Sequence, residues 1–313
     1  MFLTQAIKPK NEFWRYLLGS LTIIIAATVG QLPLMIAVGI KATRDSVAFP
    51  TEQNVMLCFL EPNLSLFLML VSFVFALGGI LLVVKHFHQQ TLLEVVTARQ
   101  KFDWKRLFFS FSIWAIFIIA TTVIDYFVNP NDYELNFNCY PFLILLLISV
   151  LLIPVQTTVE EIVFRGYLMQ GFAILSKNRW FPLLMTSVIF GSLHLTNPEV
   201  SKMGYVILIY YIGSGFLMGI MTLMDDGLEL SMGFHAANNL IGALLVTSKW
   251  SVFQTHSILK EIVEPTVSYS VFLPIVVVFP ILLLVLSKKY KWSNWQQKLT
   301  GKIENKTAHT YES

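Results

Sequence analysis

Eight stretches of this chain approach or exceed the apolar length a helix needs to cross a lipid bilayer, and that feature excludes most folds before any motif is read. A hydrocarbon core of roughly 30 Å takes about 20 apolar residues wound as helix. The clearest runs are 16–38, 64–84, 107–124, 203–224 and 271–286. Three others, 141–174, 180–196 and 228–247, carry polar residues that need a reason. None alternates apolar with polar residues, as a membrane barrel strand must. The expected fold is therefore all-α: one integral membrane domain over 1–313, a polytopic bundle of about eight transmembrane helices around an intramembrane cavity.

Composition points the same way. Only 13% of the residues are charged, 55% are apolar and the mean hydropathy is +0.66, whereas soluble domains carry about 25% charge. The first run is longer than a signal-peptide core and lacks an Ala-x-Ala-like exit, so it reads as a retained helix. The ends, 1–12 and 292–313, are polar and expected to be mobile, the second as a cytoplasmic tail.

Orientation follows from Lys and Arg in short loops. Basic residues gather in the N-terminal stub (Lys8, Lys10, Arg15), after the second run (Lys85, Arg99, Lys101, Lys105, Arg106) and in the tail (Lys288, Lys289, Lys291, Lys298, Lys302, Lys306). Segment 125–140 has Asp125, Asp132 and Glu134 and no Lys or Arg. Eight spans in a cell membrane with both termini cytoplasmic satisfy this pattern, and they put Lys177 and Arg179 inside as well. Asp225, Asp226 and Glu229 dissent, falling inside without a basic neighbour in their own loop. The net charge of +3 reflects the anchoring patches, so no nucleic-acid partner is expected. Segment 86–106 interleaves Leu92, Leu93, Val95, Val96, Phe102 and Trp104 with basic residues, which suits either a stretch on the headgroups or a solvated connector. Cys58 and Cys139 fall in outside loops, where a disulfide is permitted, although free thiols are the plainer reading.

Ionisable groups inside membrane helices cost about 2.5–3.5 kcal/mol even on the lenient insertion scale, so each is a functional candidate. Glu161 and Arg165 stand i,i+4 and can pair. Glu160 is turned by about 100° from Glu161, so it lacks that partner and is free to act as a general base. His235 and Asn239 are also i,i+4, and two donors aimed at one point can stabilise an oxyanion. Glu160 and His194 lie symmetrically about position 177, so antiparallel helices joined there hold them at matching depth, provided both are regular. Pro154 is the expected kink of the long run, and Gly215 and Gly219 form a small-xxx-small pair suited to close helix packing.

The string Glu160-Glu161-Ile-Val-Phe-Arg165-Gly166, then Phe190-x-x-x-His194, then His235-x-x-x-Asn239, resembles the CAAX protease and bacteriocin-processing (Abi) family of intramembrane proteases, with 141–247 as its catalytic core. The resemblance implies an endopeptidase in which Glu160 and His194 activate water and His235 and Asn239 hold the oxyanion. Glu161 and Arg165 would brace the site, or Arg165 would meet a substrate carboxylate. It further implies peptide processing or bacteriocin self-immunity, and a peptide or protein partner, membrane-associated or lipidated. No cofactor is expected; the alternative is Zn2+ on Glu160, His194 and His235, without the His-Glu-x-x-His pattern of zincins. Competing readings are a non-proteolytic immunity or transport protein on the same fold, and a serine protease using Ser214 between Gly213 and Gly215.

Overall fold

The computed structural model describes residues 2–7, 10–51, 55–56, 58–265 and 271–303; the expectations placed on Lys8 and Lys306 lie outside them. All eight apolar runs contain helix. Five helices are long and apolar enough to cross a membrane: Phe13–Arg44, Pro62–Phe87, Trp104–Val128, Cys139–Ser176 and Pro198–Asp225. The remaining three runs give shorter helices, Trp180–Ser192, Glu229–Leu245 and Phe279–Tyr290. The long helices keep large apolar side chains on their outer faces, among them Leu17, Ile24, Ile36, Ile116 and Leu147. Such a surface is stable only against lipid, and the chain is a membrane-embedded helical bundle.

Helix α1 (Phe13–Arg44) runs antiparallel to α2 (Pro62–Leu82), which continues through a π-helical turn, Val83–Phe87. The contact is close because Gly30 has no side chain: a Cβ there would lie 2.7 Å from the Ser72 Cα. A short helix α3 (Leu92–Val96) precedes α4 (Trp104–Val128). Helix α5 (Cys139–Glu161) passes through Pro154 and stays helical; the departure from regular winding comes later, where Ile162–Leu168 widens to a π-helix before α6 (Met169–Ser176). Lys177, in the left-handed region at φ 52°, turns the chain into α7 (Trp180–Ser192). Then follow α8 (Pro198–Met203), α9 (Ile207–Asp225), α10 (Glu229–Leu245), α11 (Phe279–Tyr290) and α12 (Trp295–Thr300). Gly215 sits against Ser187, and Gly219 against Leu183, so the small-residue pair joins α9 to α7.

The fold is not wholly α-helical. Strand β1 (Tyr133–Leu135) pairs antiparallel with β3 (Leu259–Glu261), and β2 (Val246–Thr247) pairs parallel with β3, in the order β1-β3-β2. Loops that leave the helices still have backbone groups to satisfy, and pairing with one another does so. Cys58 and Cys139 lie toward this end, both free and exposed.

The opposite end collects the basic loops that follow the second and sixth helices and the described parts of the two chain ends. The acidic loop that dissented is neutralised from other segments. Arg99 bonds Asp225 at 2.8 Å and Glu229 at 3.0 Å, Arg106 bonds Asp225 at 2.5 Å, and Lys298 bonds Asp226 at 2.7 Å. The described parts of both ends are docked here rather than loose. The Phe2 amide donates to Asp226, the Trp292 indole donates to Asp225, and the Ile303 amide donates to the Lys177 carbonyl. Val95 and Val96 of α3 are buried in the protein, with Leu228 N donating to the Val96 carbonyl. Segment 86–106 therefore turns these apolar residues toward the core; Trp104 is the one left exposed.

Candidate active site

The last turns of α5 carry Gln156, Glu160 and Glu161, and the π-helical stretch that follows carries Arg165. Glu161 and Arg165 make the ion pair their spacing allows, at 3.0 Å, with both side chains fully buried. Arg165 also donates to the Gly215 carbonyl at 3.4 Å, and its guanidinium lies 4.2 Å from the Phe190 ring centroid. Glu161 has a further partner that spacing along the chain did not reveal: its Oε1 accepts from His235 Nδ1 at 2.9 Å.

That bond fixes the tautomer. A carboxylate accepts, so Nδ1 of His235 carries the proton, and neutral His235 presents the Nε2 lone pair. Nε2 lies 3.5 Å from Glu160 Oε2 and 3.5 Å from Asn239 Nδ2. For His235 to donate to an oxyanion through Nε2 it must be doubly protonated.

Glu160 is not unpartnered. Its Oε1 accepts from Gln156 Nε2 at 2.6 Å, and Gln156 Oε1 in turn accepts from Asn239 Nδ2 at 3.1 Å. Asn239 Oδ1 accepts from Asn238 at 3.2 Å, and Asn238 accepts from the Trp114 indole at 3.2 Å. This polar string runs from α4 through α10 to Glu160 on α5. Gln156, Asn238 and Trp114 were missed in the sequence. Gln156 stands i,i+4 to Glu160 in an apolar run, which is the signal that could have found it.

His194 lies in the turn after α7. Its Nδ1 donates to the Phe190 carbonyl at 2.8 Å, which leaves Nε2 as the nitrogen open to another partner. The ring stacks on Tyr211 with centroids 4.1 Å apart and planes 20° apart. The two helices around Lys177 are not regular, since one widens at Ile162–Leu168 and the other stops at Ser192. Glu160 and His194 are not hydrogen bonded among the described residues, yet they face one space.

That space is a cavity of about 860 Å³ lined by Glu160, His194, His235 and Asn239 among apolar side chains of α1, α2 and α4. Glu161 and Arg165 do not line it, and the bonds of Arg165 are to Glu161 and Gly215. Ser214 reaches the wall but hydrogen bonds neither histidine, and its glycine neighbours pack on Ile275 and Ser187. No three His, Cys, Asp or Glu side chains among the described residues approach closely enough to hold a metal ion. Glu160, His194 and His235 thus do not form a ready zinc cage in this arrangement.

Residues 140–241 match the family model described as Type II CAAX prenyl endopeptidase Rce1-like. The uncharacterized protein YyaK of Bacillus subtilis (strain 168) is 31% identical over 251 residues, which cover 80% of this chain and 83% of that protein. No solved structure matches.

Proposed function

Because the chain belongs to the Rce1-like family of type II CAAX prenyl endopeptidases, we propose that it is an intramembrane endopeptidase whose reacting groups are Glu160, His194, His235 and Asn239. The observation that carries this reading is that all four side chains line one cavity within the bundle. Its substrate is a peptide or protein held at the membrane, lipidated or not, with no nucleic-acid partner.

In this mechanism a water lies between the Glu160 carboxylate and Nε2 of His194. Glu160 takes a proton as the water oxygen attacks the peptide carbonyl carbon. Negative charge gathers on the former carbonyl oxygen and is met by an Asn239 N–H and by Nε2–H of protonated His235, oriented through Nδ1 by Glu161. The C–N bond then breaks, and the proton held by Glu160 passes to the departing amine. Gln156 keeps the carboxylate and the Asn239 amide in register. No step needs a metal.

The test is cleavage of plain and prenylated peptides by the purified full chain. Glu160→Ala should abolish cleavage, and Asn239→Ala should lower the rate by about 100- to 1000-fold. Equal turnover by wild type and Glu160→Ala would remove the protease assignment in favour of a non-proteolytic protein. Activity lost on chelation and restored by zinc would replace the metal-free step.

A further inference from the structure

Helix α1 lies outside the residues that match the family model, yet it forms one wall of the cavity. At the basic end α6 fills the space between α1 and α7. The Phe172 ring of α6 lies 5.8 Å from Phe13 of α1 and 5.9 Å from Phe181 of α7, centroid to centroid. Farther along both helices the cavity takes the place of α6, with Ile24 and Gln31 on the α1 side and Phe190 and Leu193 on the other. Among the lining residues, Ile24, Gln31, Leu193 and Thr196 are the exposed ones. They mark its mouth, between α1 and the turn that carries His194.

Gln31 stands close to the middle of α1, in the hydrocarbon layer, where a polar group without a partner is costly. The hydroxyl side chains of α1 meet this cost by bonding back to the helix. Ser20 donates to the Tyr16 carbonyl at 2.7 Å, and Thr22, Thr28 and Thr43 donate to the carbonyls of Leu18, Ile24 and Gly39 at 2.9 Å. The Gln31 amide makes no hydrogen bond among the described residues and stays exposed at the mouth. It offers two N–H donors and a carbonyl acceptor to whatever enters. A polypeptide entering from lipid has the matching need. Where it is unwound for cutting, its backbone N–H and C=O groups lose their partners within the chain.

We propose that Gln31 is a substrate-positioning residue of this cavity. Its amide pairs with the backbone N–H and C=O of one extended residue of the chain that is cut, since those two groups lie on the same edge of a strand. A helical segment, whose backbone groups are already paired, gains nothing from Gln31, so the residue favours substrates that unwind at the mouth. The identity of the ligand as a peptide rests on the endopeptidase reading, but the affinity it produces does not require hydrolysis.

The experiment measures binding to the full chain carrying Glu160→Ala, in zwitterionic detergent, by fluorescence anisotropy. The probes are an apolar labelled peptide with blocked ends and analogues in which one backbone N–H at a time is replaced by an ester oxygen. Adding Gln31→Met should weaken binding of the all-amide peptide by about three- to tenfold. It should also abolish the loss caused by the ester at one position, while the losses at other positions persist. A merely structural role for Gln31 would not move that single ester effect. An affinity unchanged by Gln31→Met, a loss of affinity with every ester effect retained, or no measurable binding to the parent would overturn the proposal. Gln31→Leu repeats the measurement should Gln31→Met fail to fold. Loss of the endopeptidase reading would show separately, as equal cleavage by wild type and Glu160→Ala, with these affinities intact.

Discussion

Glu160 and Glu161 are neighbours in the chain with different surroundings, because a helix turns about 100° between consecutive residues. Glu161 faces Arg165 and His235 in a fully buried site, and Glu160 faces the cavity. Their substitutions should separate accordingly. Glu161→Gln leaves the Arg165 charge buried without its counter-ion, a loss of about 3–5 kcal/mol. It should appear as a lowered melting temperature in detergent, whereas Glu160→Ala should leave that temperature almost unmoved. The Glu161–Arg165 and His235–Asn239 relations were legible in the sequence because both are i,i+4 on one helix. The Glu161–His235 bond was not, since its partners sit on separate helices.

Elements meet where side chains allow the backbones to approach. Gly233 of α10 lies against α4, and a Cβ there would come within 2.2 Å of the Leu107 carbonyl oxygen. Alanine normally improves an exposed helical glycine by about 1 kcal/mol. At Gly233 the sign should reverse: Gly233→Ala forces α4 and α10 apart and should lower the melting temperature, while Gly78→Ala, with nothing within 4 Å, should not. The end of the α2 extension depends on protonation instead. Nδ1 of His88 donates to the Lys10 carbonyl at 3.0 Å, and Nε2 accepts from the Tyr167 hydroxyl at 2.9 Å. Burial chiefly, with the nearby Arg15 charge, holds this imidazole below its ordinary value, against the pull of the Lys10 bond and Glu12. The unfolded chain therefore takes up the proton first as pH falls. Stability should be level above about 6.5 and decline below it, and His88→Gln should flatten that part of a melting-temperature profile.

The whole molecule has two unlike ends, one closed by a small sheet and the other by a knot of charges that ties in the described parts of both chain ends. If the positive end is cytoplasmic, the only two cysteines face outside, because Cys58 and Cys139 lie toward the sheet. A membrane-impermeant maleimide should then label intact cells, and labelling only after lysis would invert the orientation. Membrane residence, the helical runs and the grouping of loops by end were set by the sequence alone. Each is a sum over neighbouring residues, in which transfer to lipid and helix periodicity need no distant partner. The acidic loop, the docked ends, the sheet and the Gln156 relay were decided only by tertiary structure. Each joins groups that are far apart in the chain, and a buried polar group is satisfied by whichever partner folding brings within about 3 Å. Local periodicity does not identify that partner.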